Sequence, residues 1–178
     1  MNVSPGLTAL SRRLQQFIWL VGSVMAAAAI LRWVVGDDLR AWLPPTLAAD
    51  VPRGALGLGR RVAGFCIELI PLSAALYSLL ALHRICDIHR AGQIVGARLS
   101  TMYRAFGRGL MLLGVANALY TPLIAFALTF PSIDGGVTIA VGLSTADLYL
   151  LVAGAAVMML GLVVEEAHRI ETENAQII

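Results

Sequence analysis

One carboxylate stands deep inside an apolar run. Glu68 lies about six residues into VAGFCIELIPLSAALYSLLAL (62–82), a segment long enough to cross a bilayer at 1.5 Å of helical rise per residue. An acid at that depth is costly, so it is functional, protonated or paired. Arg32 is the natural partner, because it stands near the end of the preceding apolar run, LQQFIWLVGSVMAAAAILRWVV (14–35). Consecutive helices run antiparallel, which leaves the two residues offset by about 5 Å along the axis at helical rise. An arginine side chain spans that gap, and its planar fork suits a carboxylate. A direct Arg32–Glu68 contact is therefore expected. Asn117, in a third apolar run, is expected to hydrogen-bond between helices; with Glu68 it could instead line a polar path through the membrane.

Two other constellations resemble metal ligands. His83, Cys86 and His89 form an H-x-x-C-x-x-H run beside Asp87. On a helix His83, Cys86 and Asp87 share a face, but His89 falls about 240° away and a fourth ligand is missing. Glu165 and His168 form one Glu-x-x-His pair, whereas a di-iron bundle needs two such pairs and two further glutamates. Neither set is complete, so no metal and no cofactor is expected. No phosphate-binding glycine loop and no nucleophile set is present, so the chain reads as a non-enzyme.

The elements that position these residues are membrane helices. The chain has 178 residues, of which 58% are hydrophobic and only 13% charged, with a mean hydropathy of +0.80. Soluble domains carry about twice that charge. Four apolar runs predict an all-α, polytopic membrane protein: one domain, residues 1–178, of four transmembrane helices in one bundle, at about 14–35, 62–82, 104–130 and 148–164. The alanines at 26–29 resemble a signal-peptide cleavage region, but the run continues to Val35, which favours a retained first helix. Small and polar residues recur at helical spacing: Gly64, Glu68, Pro71, Ala75 and Ser78 on the second helix, Gly107, Gly114, Ala118, Thr121 and Ala125 on the third, and Gly154, Met158, Gly161 and Glu165 on the fourth. Such stripes face other helices in lipid. Kinks are expected at Pro71 and Pro122. In the last loop, Val137, Ile139 and Val141 alternate after a Gly-Gly pair, which predicts a short strand or hairpin. Trp42 and Leu43 place part of the first loop on the membrane surface.

Orientation follows from arginine. All thirteen basic residues are arginine. The stretch His83–Arg108 holds Arg84, Arg90, Arg98, Arg104 and Arg108, and reads as a cytoplasmic loop. By the parity of four crossings both termini are cytoplasmic, which places Gly36–Arg61 and Pro131–Ala146 outside. No basic stripe is interleaved with aromatics, so nucleic acid is not an expected partner. Cys66 and Cys86 lie at opposite ends of one helix, about 30 Å apart at helical rise, too far for a disulfide.

The C-terminal segment carries a likeness. The entry "LSTADL" into the last helix and the tail Ala167, Ile170, Glu173, Asn174 and Ile177 resemble the close of a bacterial membrane family catalogued only as domain of unknown function 2975. A short basic linker with a glycine (Arg90, Gly92) and an arginine and glycine opening the next helix (Arg104, Gly107) are similar as well. The family's linker usually carries a different pattern from AGQIVGARL, and its first loop is not recognisably shared. The resemblance implies a four-helix protein of the bacterial inner membrane and supplies no catalytic residues.

These readings converge on a non-catalytic interaction, regulatory or accessory subunit of the inner membrane. Its partners would be membrane lipids and a protein met in the membrane or at the cytoplasmic face. Arg90, Arg98, Arg104, Glu173 and Asn174 are the candidate contact residues. The rival is a small transporter or channel subunit working through Glu68, Asn117 and Asp147. Purified protein is expected to hold far less than one zinc per chain by elemental analysis. Stoichiometric zinc that disappears in Cys86→Ser would refute the metal-free reading.

Overall fold

The computed structural model describes residues 5–34, 57–92, 96–129 and 143–175, with the side chains of 5–8 and 129 left aside. It contains four long helices: α1 (Pro5–Val34), α2 (Leu58–Arg90), α3 (Ala97–Thr129) and α4 (Thr145–Ala175). Each contains a stretch long and apolar enough to cross a membrane. There is no strand among the described residues. The hairpin expected at 137–141 and the surface-lying Trp42–Leu43 segment fall outside them.

The helices pack in chain order, α1 on α2, α2 on α3 and α3 on α4. Neighbours are antiparallel, so the start of α1, the α2–α3 connection and the end of α4 share one end of the bundle. Large apolar side chains cover the outside; Trp19, Leu20, Val152, Met159 and Val163 are each at least 60% exposed. In water such a surface would drive aggregation, whereas in a bilayer it is the face that meets solvent.

All four helices exceed the spans expected from hydropathy, and this changes the reading of the basic stretch. His83–Arg108 is not a loop. α2 continues to Arg90 and α3 begins at Ala97, leaving residues 91–96 as the connection. Hydropathy marks where a helix meets lipid, and these extra turns are held by something else. Ile85, Ile88 and Leu99 are buried together, with Met102, Tyr103, Phe106 and Val164 packed around them. The turn after α2 is closed by Ala91 N–H on the Asp87 carbonyl and Gly92 N–H on the His89 carbonyl, with Gly92 at φ +79°. That left-handed conformation favours glycine. α2 and α3 run unbroken through Pro71 and Pro122.

The small stripes expected on α3 and α4 meet each other. Gly107 faces Gly154, Gly114 faces Asp147, and Gly161 faces Ser100 and Arg104, a ladder repeating every seven residues. At the Gly107–Gly154 rung the backbones are so close that a Cβ added to Gly154 would lie 2.6 Å from the Gly107 carbonyl oxygen. Neither side can yield without moving a helix.

Asp147 is buried at the end of this ladder and closes a capping box. Its Oδ2 accepts the Ser144 N–H at 3.0 Å, and the Ser144 Oγ accepts the Ala146 N–H at 3.2 Å. This satisfies two of the amides left open at the start of α4.

Gly154→Ala is expected to lower stability by about 1–3 kcal/mol despite its gain in helix propensity, because the added methyl meets backbone. Gly59→Ala, where nothing lies within 4 Å of the added carbon, should be neutral or mildly stabilising. Unfolding in mixed detergent micelles measures both. Equal effects would show that the close crossing does not hold α3 and α4 together.

Candidate functional site

The charged residues of the membrane interior gather where the ends of α1 and α2 meet. Arg32 Nη1 donates to Glu68 Oε1 at 2.8 Å. The indole N–H of Trp33 donates to the other carboxylate oxygen, Oε2. Both oxygens are thereby engaged, and the Glu68 side chain is only 12% exposed. The expected contact between Arg32 and Glu68 is present, and Trp33 adds a second donor that the sequence reading did not include.

Trp33 is placed by a glycine. A Cβ at position 64 would fall 1.9 Å from the indole ring, so Gly64 is the floor on which Trp33 lies. Trp33 clusters with Ile124, Ala125 and Leu128 of α3, and Phe65 and Tyr120 pack against that cluster. Tyr120 also lies within electrostatic reach of Arg32 and Glu68. Trp33 had two marks in the sequence: it follows Arg32, and a glycine occupies the matching level of α2. Tyr120 had no comparable signal, since only the packing of α3 against α1 brings it close.

Beside the ion pair is a cavity of about 330 Å³, lined by Met25, Ala28, Ala29, Arg32, Glu68, Pro71, Leu72, Leu113 and Asn117. Asn117 thus lines the same cavity as the Arg32–Glu68 pair, but it does not form the interhelical hydrogen bond expected of it. Its amide makes no hydrogen bond to another described residue. Asp147, the third residue of the rival polar path, is committed to the α4 cap.

A second polar cluster occupies the opposite end of the α1–α2 pair. Gln15 is buried, donates from Nε2 to Asp87 Oδ1 at 2.6 Å and accepts from Arg90 Nη1 at 2.8 Å. His83 Nδ1 lies 3.3 Å from Asp87 Oδ2, with its ring edge-on to Trp19. His89 turns away to the Tyr103 hydroxyl at 3.3 Å, and Cys86 is buried. The H-x-x-C-x-x-H residues therefore serve different neighbours. No three histidine, cysteine or acidic side chains converge as a metal set among the described residues. Gln15 could have been noticed as one of two adjacent amides, with Gln16, in an apolar run; its partners lie more than seventy residues away.

The remaining candidates lie on α2, α3 and α4. Arg104 Nη1 lies 3.2 Å from Glu165 Oε2, and the fully buried Ser100 hydroxyl lies 3.4 Å from the same oxygen. Arg104 is therefore an internal tie and not a free contact residue, and Glu165 does not act with His168. Arg90 is tied to Gln15 but remains exposed, and Arg98, Glu173 and Asn174 are exposed. α4 runs past the start of α3 as an exposed helix, where Arg169 bonds Glu166 at 2.6 Å and lies 3.6 Å from Glu173. Ile170 is half exposed there, and Ile177 falls outside the described residues.

Fold and site together define a multi-pass helical membrane protein whose intramembrane acid is paired within the chain. No family model matches this sequence, and no curated protein or solved structure does so either.

The pair should behave as a unit. Arg32→Met alone is expected to cost more stability than Arg32→Met combined with Glu68→Gln, with a coupling of about 1–3 kcal/mol, because a lone buried charge is the expensive state. Reversible unfolding of the single and double variants in detergent measures the coupling. Strict additivity would show that the contact contributes nothing specific.

Proposed function

We propose that the protein is a non-catalytic interaction subunit, regulatory or accessory, of a bacterial inner membrane, with both termini in the cytoplasm. The observation that carries this reading is the satisfied state of Glu68. Both of its oxygens are engaged by Arg32 and Trp33, so the acid ties α1 to α2 and has little left to offer a passing ion. The surface that remains for recognition is polar and lies at one end, where Arg84, Arg90 and Arg98 are exposed near the acidic overhang of α4. Arginine is concentrated at that end, which supports its cytoplasmic placement. The likeness of the tail to the bacterial family of unknown function points the same way. Glu173 and Asn174 on the overhang, with Arg98, are the residues through which a protein partner would be held.

Topology is tested by cysteine labelling of intact cells in a background lacking Cys66 and Cys86. Gly57→Cys and Leu143→Cys, both exposed, should react with an impermeant reagent, and the exposed Thr101→Cys should not. The reverse pattern would invert the orientation. The role itself is tested by purification in mild detergent. A stoichiometric partner retained by the wild type and lost in Glu173→Lys with Asn174→Ala, without a change in melting temperature, is the expected result. Ion or solute flux through reconstituted protein that requires Glu68, with no such partner, would favour a transporter instead.

A further inference from the structure

The cavity beside the ion pair has the features of a binding site. It lies among α1, α2 and α3, and its lining is apolar apart from Arg32, Glu68 and Asn117. Asn117 falls in the middle third of α3, where a primary amide without a partner costs more than it would in water. Its amide nonetheless has no hydrogen bond to another described residue and borders the cavity. The cavity reaches Ala28, which is exposed on the lipid-facing side of α1. A volume of about 330 Å³ is at the small end of ligand pockets and suits a headgroup better than a whole lipid.

The polar end specifies what would fit. Arg32 and Glu68 neutralise one another, so an anion would have to compete with Glu68 for the guanidinium and a cation with Arg32 for the carboxylate. A neutral group meets neither obstacle. The Asn117 amide offers two N–H donors and a carbonyl acceptor, which complement a carbonyl or a hydroxyl. Met25, Ala29, Pro71, Leu72 and Leu113 supply the apolar surround. We propose that this cavity binds the neutral, carbonyl- or hydroxyl-bearing headgroup of a membrane-soluble molecule, hydrogen-bonded by Asn117 beside the Arg32–Glu68 pair, with its apolar tail leaving past Ala28 into the bilayer. Two kinds of molecule share this chemistry, a prenyl-type quinone and a neutral diacylglycerol. The proposal is independent of the partner surface at the other end of the bundle, and neither outcome decides the other.

The test uses the full chain in phosphatidylcholine nanodiscs with two probes, oxidised decylbenzoquinone and dioctanoylglycerol, read as a saturable rise in melting temperature. Binding of the first identifies the quinone source, and binding of the second the glycerolipid source. Asn117→Leu removes the amide, and Ala28→Leu narrows the mouth at an exposed position where folding is not at stake. Each should weaken binding about tenfold, the effect of one lost hydrogen bond or a blocked contact. Ser23→Leu, in the separate apolar groove between α1 and α2, should remain within twofold of the wild type. The melting temperatures of the unliganded variants establish that they fold. The proposal is overturned if neither probe gives a saturable shift, or if either cavity variant binds within twofold of the wild type.

Discussion

Lipid gives an apolar side chain no reason to leave it, so the helices of this protein cannot be held together by the hydrophobic effect that closes a soluble core. What holds them is close approach and polar pairing, and the structure uses both in separate places. α3 and α4 approach until glycine lies on glycine at positions 107 and 154. α1 and α2 are joined by polar contacts at both ends, Arg32 and Trp33 on Glu68 at one and Gln15 with Asp87 and Arg90 at the other.

The two strategies differ in what they tolerate. A backbone crossing is sensitive to any added atom and indifferent to charge. A polar tie is sensitive to charge and leaves room around itself, because side chains that reach across a gap do not fill it. That difference is visible in the cavities. One lined by Arg32, Glu68 and Asn117 lies beside the polar tie, whereas the Gly107–Gly154 rung brings backbone onto backbone. An intramembrane acid paired in this way contributes to assembly first, and any ligand chemistry at the site takes place next to an already neutral pair.

The helices extend past the apolar runs at the arginine-rich end, and the extra turns change what that end offers. A flexible basic loop would present its arginines without order. Here Arg84 and Arg90 are carried on α2, Arg98 on α3, and the acids of the α4 overhang are spaced on a third helix. Arg104 is removed from this surface by its tie to Glu165. The result is an ordered surface of mixed charge next to the membrane, close to a cluster in which His83, Asp87, Gln15 and Arg90 are already bonded to one another.

Much of this was legible in the amino-acid sequence, because the bilayer constrains a chain locally. Apolar run length determined the number of spanning helices, and helical spacing determined which faces carry the glycines. The depth of Glu68 and Arg32 determined that they could meet, since antiparallel neighbours bring equal depths together. Other features required the tertiary structure. Helix ends beyond the lipid-facing turns depend on contacts such as Ile85 and Ile88 with Leu99, which hydropathy does not record. The pairing of Gln15 with Asp87, the seating of Trp33 on Gly64 and the use of Arg104 by Glu165 depend on rotation of one helix against another. Asn117 shows the difference most directly: its type and position announced a polar residue in the membrane, but only the packing of α3 against α1 and α2 decided that it would border a cavity and not a neighbouring helix.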